Sequence, residues 1–308
     1  MKRSRLDLTE GSILKGLIAL ALPIIAANLL QTGYQLVDAF WVGQLGANAV
    51  AAVSISFPVN FLLISLSSGF AFAGTILVAQ YAGAKNFNMV NHVATQTLTM
   101  VVIISIILST IAWFLSPAIL RLLGVEQIIF EDANIFQKTI FAGLVFNFGF
   151  IMFQSLMRGI GEVRIPLYIN AATLALNFVL DPLFIYGWGP IPAYGVTGAA
   201  VSTLVTVSLS AFTGVYILYK GKTDIKLSIQ QFRFDLPLLK KAFKLGAPSS
   251  MEISARALGL TIMTGIAAKF GTSVLAAYGV GSRLLSFVVI FGLGLLHASS
   301  TFVGQNMG

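Results

Sequence analysis

Five ionisable residues lie inside long apolar segments of the sequence, and they carry its most informative chemistry. They are Asp38, Asp181, Glu252, Arg256 and His297. If these segments cross a membrane, each charge costs about 2.5–3.5 kcal/mol on insertion scales, so such residues are candidates for function. The two aspartates have the chemistry of a cation or proton site, whereas Glu252 and Arg256 have that of an ion pair.

Asp181 lies in the segment LNFVLDPLFIYG and is the strongest of these candidates. Pro182 follows it and lacks the N–H group that a helix would direct to the carbonyl of Phe178. Asn177 lies four residues earlier, on the same face of a helix. A freed carbonyl beside a carboxylate predicts a cation- or proton-binding arrangement. The alternative is a carboxylate that only forms a hydrogen bond with a neighbouring helix.

Asp38 lies in QTGYQLVDAFWVG, near the outer end of the first apolar segment. Asp181 is about 16 residues, or roughly 24 Å, from the inner edge of its own segment, so both aspartates belong to the outer half of a membrane. Thr203 has a similar depth. Two close carboxylates would share one proton, or would both ionise around a bound cation. The alternative for Asp38 is an interfacial position beside Trp41, in a belt of aromatic residues.

Glu252 and Arg256 are separated by one helical turn in SSMEISARALG, and this spacing favours an ion pair that neutralises both charges. The alternative is that the two charges face a bound substrate. Together with Gln35, which precedes Asp38 by about one turn, they are the candidate residues of a substrate cavity. His297 is more typical of a buried histidine with a hydrogen-bonded ring than of a proton relay.

The composition excludes several classes of protein. Apolar residues make up 57% and charged residues 10% of the 308 residues, and there is no cysteine. Soluble domains carry about 25% charged residues, and a mean hydropathy of +0.89 leaves too little polar surface for a soluble enzyme. The lack of cysteine excludes disulfides and thiolate metal sites. No catalytic or phosphate-binding motif is present, so we expect no enzymatic activity and no cofactor other than a coupling ion.

Eight runs of apolar residues are long enough for the helix of about 20 residues that a bilayer core requires. They cover residues 17–40, 50–79, 93–115, 136–157, 165–186, 196–219, 245–268 and 277–303. The sequence therefore predicts an all-α polytopic membrane protein with eight transmembrane helices. Most of the 19 Lys and Arg residues fall on one side, which places the N-terminus in the cytoplasm. We expect a multi-pass protein of the cell (plasma or inner) membrane that binds no nucleic acid.

Identical residues recur at an offset of 225 positions without a gap. The pairs include Pro23 and Pro248, Gly69 and Gly294, Gln80 and Gln305, and Gly83 and Gly308. The offset spans six predicted helices, an even number, so the two copies share one orientation, as in transporters built from parallel repeats. We expect a six-helix N-lobe at 1–220, a cytoplasmic linker at 221–244 and the first two helices of a C-lobe at 245–308. The second copy would need about four more helices, so the sequence predicts a C-terminally truncated chain.

The sequence resembles the multidrug and toxic compound extrusion (MATE) family of secondary antiporters. The matching segments are spread along the chain and include LALPIIAANLLQTGYQLVDAFWVGQLGANAVAA, QSLMRGIGEVRIPLY, LNFVLDPLFIYG and FGTSVLAAYGVGSRL. The resemblance implies two six-helix lobes around a central cavity that opens alternately to each side. It also implies export of organic, often cationic compounds in exchange for H⁺ or Na⁺.

The resemblance also implies which residues bind the coupling ion. In the DinF-like branch of the family, residues of the first, fifth and sixth helices form a site in the N-lobe. The matching positions here are Asp38, Asn177, Asp181 and Thr203. The same four residues would be metal ligands if transport is coupled to Na⁺. The NorM-like branch has a glutamate eight residues after the proline that matches Pro248, where this sequence has Arg256. The sequence therefore favours the N-lobe site and the DinF-like branch.

We therefore expect a cation-coupled antiporter that acts as a monomer, with small organic molecules and the lipid bilayer as its partners. The alternative is a lipid or lipid-linked oligosaccharide flippase of the same superfamily. Such a protein would place several basic residues in its cavity to bind pyrophosphate. Only Arg256 and Arg283 are candidates for that role, so export of drugs is the preferred hypothesis. The sequence does not distinguish H⁺ from Na⁺.

Overall fold

The computed structural model describes residues 12–227, 233–269 and 272–308, and these residues fold into helices joined by short connections. The helices are α1 (Ile13–Gly43), α2 (Ala47–Gly83), α3 (Phe87–Leu122), α4 (Gln127–Ala142), α5 (Leu144–Gly159), α6 (Arg164–Tyr186), α7 (Gly195–Lys220), α8 (Leu236–Lys269) and α9 (Thr272–Met307). The helical fold agrees with the apolar runs of the sequence, because a helix satisfies its own backbone hydrogen bonds inside a bilayer.

Six helical stretches of the described chain are long and apolar enough to cross a membrane. They are α1, α2, α3, α6, α7 and the Val288–Met307 part of α9. The bent pair α4 and α5 makes a seventh span if it is counted as one. The prediction of eight spans is therefore confirmed in part, because α8 carries charged residues in its first turns and in its middle and is not among these spans.

The fourth predicted span is wrong as one continuous helix. α4 and α5 meet at Gly143 with a bend of 44°. A side chain at Gly143 would press against Leu204 of α7, at 3.1 Å from the added Cβ. The absence of a side chain therefore lets the bend lie close to α7, and this packing is not visible in the length of an apolar run.

The seventh predicted span also begins earlier than expected, at Leu236 rather than at residue 245. The reason is a cap at the start of α8. The Asp235 carboxylate accepts a hydrogen bond from the main-chain N–H of Leu238 at 3.0 Å, which satisfies one of the free donors of the first turn. The helix thus starts in the polar, basic stretch that the apolar pattern assigned to a linker.

α5 is the buried centre of the first seven helices. Its apolar side chains without exposed surface are those of Met152, Phe153, Leu156 and Met157. They belong to one apolar cluster with residues of α2, α3 and α7, and close packing of this kind holds membrane helices together. α6 packs outside this core, against α1 on one side and α7 on the other.

The contact between α2 and α8 is repeated by the contact between α9 and α1, with equivalent residues 225 positions apart. Gly69 of α2 meets the backbone of Ser250 in α8. Gly294 of α9, the equivalent of Gly69, meets Ile25 of α1, the equivalent of Ser250. The two contacts are therefore reciprocal, as they are in a two-fold-symmetric interface.

The same reciprocity holds where α2 and α9 end. Gly83 meets the backbone of Gln305, and Gly308 meets the carbonyl of Gln80. These four residues form two equivalent contacts under the same offset. The arrangement supports the repeat predicted from the sequence, because a chance similarity in composition would not place equivalent residues in equivalent contacts.

Gly304 of α9 lies against Ala79 of α2, which is its own equivalent in the first copy. The two helices therefore cross at the approximate two-fold axis, and small residues let their backbones approach closely. We call this region, formed by residues 65–83 of α2 with the facing parts of α8 and α9, the packed end. It is the end that the sequence predicts to face the cytoplasm.

The connection between α7 and α8 lies along the first turns of α3. The main-chain N–H of Lys226 donates to Asn91 Oδ1 at 2.8 Å, and that of Asp235 donates to Gln96 Oε1 at 3.3 Å. The Asp235 carboxylate is also 2.9 Å from Nε2 of His92, and this hydrogen bond holds the pKa of Asp235 below its usual value. The described part of the connection is thus fixed against α3.

We expect Gly69→Ala to destabilise the packed end. The added Cβ would overlap the backbone of Ser250 and the carbonyl of Gly246, and overpacking costs about 1–3 kcal/mol. Gly149→Ala is the matched control, because it also lies within a helix and its Cβ would meet nothing within 4 Å. Thermal unfolding in detergent should show a lower midpoint for Gly69→Ala only. Equal midpoints would contradict the close approach of α2 and α8.

Candidate functional site

Helices α1, α6 and α7 bring the four predicted coupling residues together. Asp181 and Asn177 are fully buried, and Asn177 Nδ2 donates a hydrogen bond to Asp181 Oδ1 at 2.8 Å. Asp38 of α1 lies near Asp181, Asn177 and Thr203. We call these four residues the acidic cluster.

The local sequence explains how α6 and α7 position the cluster. Asn177 and Asp181 share one face of α6 because they are four residues apart. Pro182 continues this helix without an N–H group, so one carbonyl of α6 has no helical partner. A side chain at Gly198 of α7 would overlap the main chain of Phe184 in α6. The two helices are therefore as close as glycine permits.

Three polar side chains lie beside the cluster that were not predicted as site residues. They are Tyr34, Ser202 and Thr206. Asn177 Nδ2 lies 3.3 Å from Ser202 Oγ. The hydroxyl groups of Tyr34 and Thr206 are 2.7 Å apart. Tyr34 is one turn before Asp38 and Thr206 is one turn after Ser202, so helical spacing places each on the correct face. The sequence gives no signal that separates Ser202 from the many other hydroxyl residues of α7.

Several oxygen atoms of the cluster have no hydrogen-bond partner within the described chain. They are Oδ1 of Asp38, Oδ1 of Asn177 and Oδ2 of Asp181, and all three are buried. A buried polar atom without a partner costs about 1–3 kcal/mol, and more when it is charged. The donor set consists of carboxylate, amide and hydroxyl oxygens, which are the ligands that hard cations prefer. The residues present therefore fit a proton or a Na⁺ ion.

Trp41 packs one turn above the cluster. Its ring contacts those of Phe178 and Tyr186 of α6 edge to face, with centroids 5.9 and 6.3 Å apart. Tyr186 also donates a hydrogen bond to the carbonyl of Trp41 at 3.2 Å. The indole thus joins the end of α1 to α6, and its surroundings depend on how these two helices meet.

The other predicted site residues lie apart from the acidic cluster. Glu252 and Arg256 form the predicted ion pair on α8, at 3.2 Å, with side chains 71% and 53% exposed. Such an exposed pair contributes little to stability. Gln35 is exposed on α1, about one turn before Asp38. A role of these three residues in a substrate cavity remains a prediction.

Comparison with known proteins identifies the family of the chain. The family model MatE matches residues 23–183 and 248–308, which is more than half of the sequence. The chain belongs to the MatE family. The second match begins at Pro248, which is 225 residues after Pro23, where the first match begins. The two matched stretches thus agree with the sequence repeat.

The chain is 30% identical over 305 residues to the "Probable multidrug resistance protein YoeA" of Bacillus subtilis (strain 168), with 97% of this chain and 66% of that protein covered. The solved "Outward-facing conformation of a multidrug resistance MATE family transporter of the MOP superfamily" has a TM-score of 0.89 at 24% identity, over 99% of this chain and 68% of that one. The "Crystal structure of MATE in complex with MaL6" has a TM-score of 0.91 at 24% identity, over 99% and 67%. The chain thus spans about two thirds of the length of these relatives.

These comparisons confirm the predicted family and fold class. The protein belongs to a family of transporters, which confirms the expectation that it is not an enzyme. It is a multi-pass membrane protein of the all-α class, and the solved structures share its fold. One of the solved MATE structures is a complex with MaL6, and small organic molecules remain the predicted partners of this chain. The DinF-like branch, the coupling ion and the orientation in the membrane remain predictions.

We expect the fluorescence of Trp41 to report ion binding by the acidic cluster. With Trp113→Phe and Trp188→Phe, Trp41 is the only tryptophan of the chain. Addition of Na⁺ or acid should change its emission, because we expect a cation bound by the cluster to draw α1 toward α6. Asp181→Asn should abolish this response, whereas Asp132→Asn, an exposed aspartate of α4, should retain it. An unchanged response in Asp181→Asn would contradict the assignment.

Proposed function

We propose that this chain forms part of a secondary transporter that exports organic, often cationic compounds in exchange for H⁺ or Na⁺. The observation that carries the proposal is the carboxylate pair Asp38 and Asp181, in which one oxygen atom of each is buried without a hydrogen-bond partner in the described chain. A purely structural membrane protein has no need of two carboxylates at this depth. The family of the chain and the name of its relative as a multidrug resistance protein support the same conclusion.

Repulsion between the two carboxylates supplies the energy that couples ion binding to movement. Two like charges about 4 Å apart repel by about 4 kcal/mol at an effective dielectric constant of 20. A proton or a Na⁺ ion on the pair removes this repulsion and lets α1 approach α6 and α7. In this proposal Asp38, Asn177, Asp181 and Thr203 bind the ion, as in the DinF-like branch that the sequence favours.

α1 connects the acidic cluster to the packed end. Asp38 and Ile25 lie on the same helix, and Pro23, the only proline within α1, precedes both. The part of α1 that follows Pro23 therefore moves as one unit. Ile25 meets Gly294 at the packed end, so movement of Asp38 toward α6 changes a contact that closes this end.

The proposed transport cycle follows from these contacts. With residues 1–220 as the N-lobe and 245–308 as the beginning of the C-lobe, the packed end closes the predicted cytoplasmic side, as in an outward-open state. Residues 221–244 link the two parts on that side. Binding of an ion from outside moves α1, releases the exported compound and weakens the packed end. The ion then leaves toward the cytoplasm when that side opens.

The alternative, a lipid or lipid-linked oligosaccharide flippase, has less support. It requires basic side chains that are free to bind pyrophosphate. Arg256 is already paired with Glu252, and the side chain of Arg283 lies outside the described residues. An exchange driven by H⁺ or Na⁺ requires acidic groups that bind the ion, and the acidic cluster supplies them.

We expect pump-deficient cells that express the complete transporter, of which this chain forms part, to export ethidium under a proton or sodium gradient. Asp181→Asn should reduce this export by at least about tenfold, because the loss of one charge-assisted contact of about 1.4 kcal/mol or more gives such a ratio. Asp132→Asn is the matched control and should export at the parent rate. Export by Asp181→Asn at the parent rate would exclude the acidic cluster as the coupling site. No export by the parent under either gradient would exclude the proposed function.

A further inference from the structure

A small cavity lies between α2, α4, α5 and α7, at the bend between α4 and α5. Its volume is about 40 Å³, and its polar lining consists of Asn60, Thr139, Asn147 and Thr203. Gly143, the residue of the bend, also lines it. We call this space the bend cavity. It lies on the side of α7 that faces α2 and α4, whereas the acidic cluster lies between α7, α6 and α1.

Two amide oxygens of the bend cavity have no partner within the described chain. Oδ1 of Asn60 and Oδ1 of Asn147 are both buried, and neither accepts a hydrogen bond there. A buried site holds water when it is polar and offers about 10–15 Å³ for each molecule and two to four polar partners. The cavity of about 40 Å³ meets these conditions for up to about three water molecules.

Further unpartnered polar groups extend from the bend cavity toward the start of α2 and α4. Ser56 lies one turn before Asn60, and its Oγ is buried without a partner in the described residues. Gln137 lies two residues before Thr139, and both its amide atoms are buried and unpartnered there. The starts of α2 and α4 are at the predicted outer face, so Ser56 and Gln137 lie nearer to that face along their helices than Asn60 and Thr139 do.

Thr203 connects the bend cavity to the acidic cluster. Its side chain lines the cavity and also lies near Asp38 of the acidic cluster. Thr203 therefore joins the polar groups of the bend cavity to the carboxylate pair, and the unpartnered groups of Ser56 and Gln137 lie on the outer side of the cavity along α2 and α4. Each of them requires a hydrogen-bond partner in the low dielectric of a membrane protein, and water molecules supply such partners.

We propose that the bend cavity binds internal water and forms the route by which the coupling ion passes from the outer face to Asp38 and Asp181. Water in this cavity accepts and donates hydrogen bonds with the two asparagines and carries a proton or a small cation to Thr203. The bend of α4 and α5 keeps the space open beside α7. The direction of the ion rests on the proposed function, whereas the hydration of the cavity does not.

The test uses the absence of cysteine from the chain. Asn60→Cys and Asn147→Cys each introduce a single thiol into the bend cavity, and Ag⁺ is a thiol-reactive cation small enough to follow water. Ala211→Cys is the matched control, because Ala211 is a buried residue of α7 in the apolar core. Right-side-out vesicles receive Ag⁺, and a maleimide then counts the unreacted thiols after denaturation. Asn147→Cys keeps the test valid if Asn60→Cys fails to fold.

We expect both cavity thiols to react from the outer face at least about tenfold faster than the control, the ratio expected from a difference in hydration worth about 1.4 kcal/mol. Reaction no faster than that of Ala211→Cys would overturn the hydrated cavity. Rapid reaction only when Ag⁺ is added to the opposite face would overturn the outer route. Because thiol reaction needs no exported compound, loss of ethidium export with rapid thiol reaction would exclude the proposed function and leave the hydrated cavity established.

Discussion

The buried carboxylate of Asp181 is the constraint on which the other features of the site depend. It lies within a span of the membrane and receives one hydrogen bond, from Asn177, while Oδ2 and the nearby Oδ1 of Asp38 have no partner in the described chain. Two neighbouring negative charges are costly in a low dielectric unless a positive charge or hydrogen bonds compensate them. The site is therefore suited to bind one positive charge, and a site of this kind changes its preferred geometry when that charge arrives or leaves.

Helix α1 connects the charge of the acidic cluster to the packed end. α5 is buried on nearly all sides and holds α2, α3 and α7 around it, so α7 provides a firm wall for the cluster. α1 lies outside the apolar cluster around α5 and packs against α6 through Trp41 and against α9 through Ile25. An ion that draws Asp38 toward α6 therefore acts on the contacts of Ile25 with α9. Small residues at the packed end make those contacts sensitive to small shifts, because glycine leaves no side chain to absorb them.

Much of this arrangement could be predicted from the sequence. The matching depth of Asp38 and Asp181 and the four-residue spacing of Asn177 follow from helix geometry. The offset of 225 residues predicted the repeat, and the reciprocal contacts of Gly69 and Gly294 follow it. These features are periodic or are repeated within the chain, so one sequence is enough to find them.

Other features depend on packing between distant segments and could not be found in this way. The bend at Gly143 occurs inside an apolar run, and its close packing against Leu204 of α7 is visible only in the structure. α8 begins at Leu236 because Asp235 caps it, although the stretch is too polar to be part of a membrane span. Ser202 contacts Asn177 because α7 is held against α6 at Gly198, and nothing in the order of hydroxyl residues along α7 indicates this contact.

The most direct test of the central claim is the infrared absorption of the carboxyl groups of the purified protein. If Asp38 and Asp181 bind the coupling ion, we expect an absorption band of protonated carboxyl groups that disappears when Na⁺ is added or the pH is raised. We also expect this band to be missing from the double variant Asp38→Asn, Asp181→Asn. A band that persists in the double variant, or carboxyl absorption that responds to neither Na⁺ nor pH, would contradict the claim that Asp38 and Asp181 together bind the coupling ion.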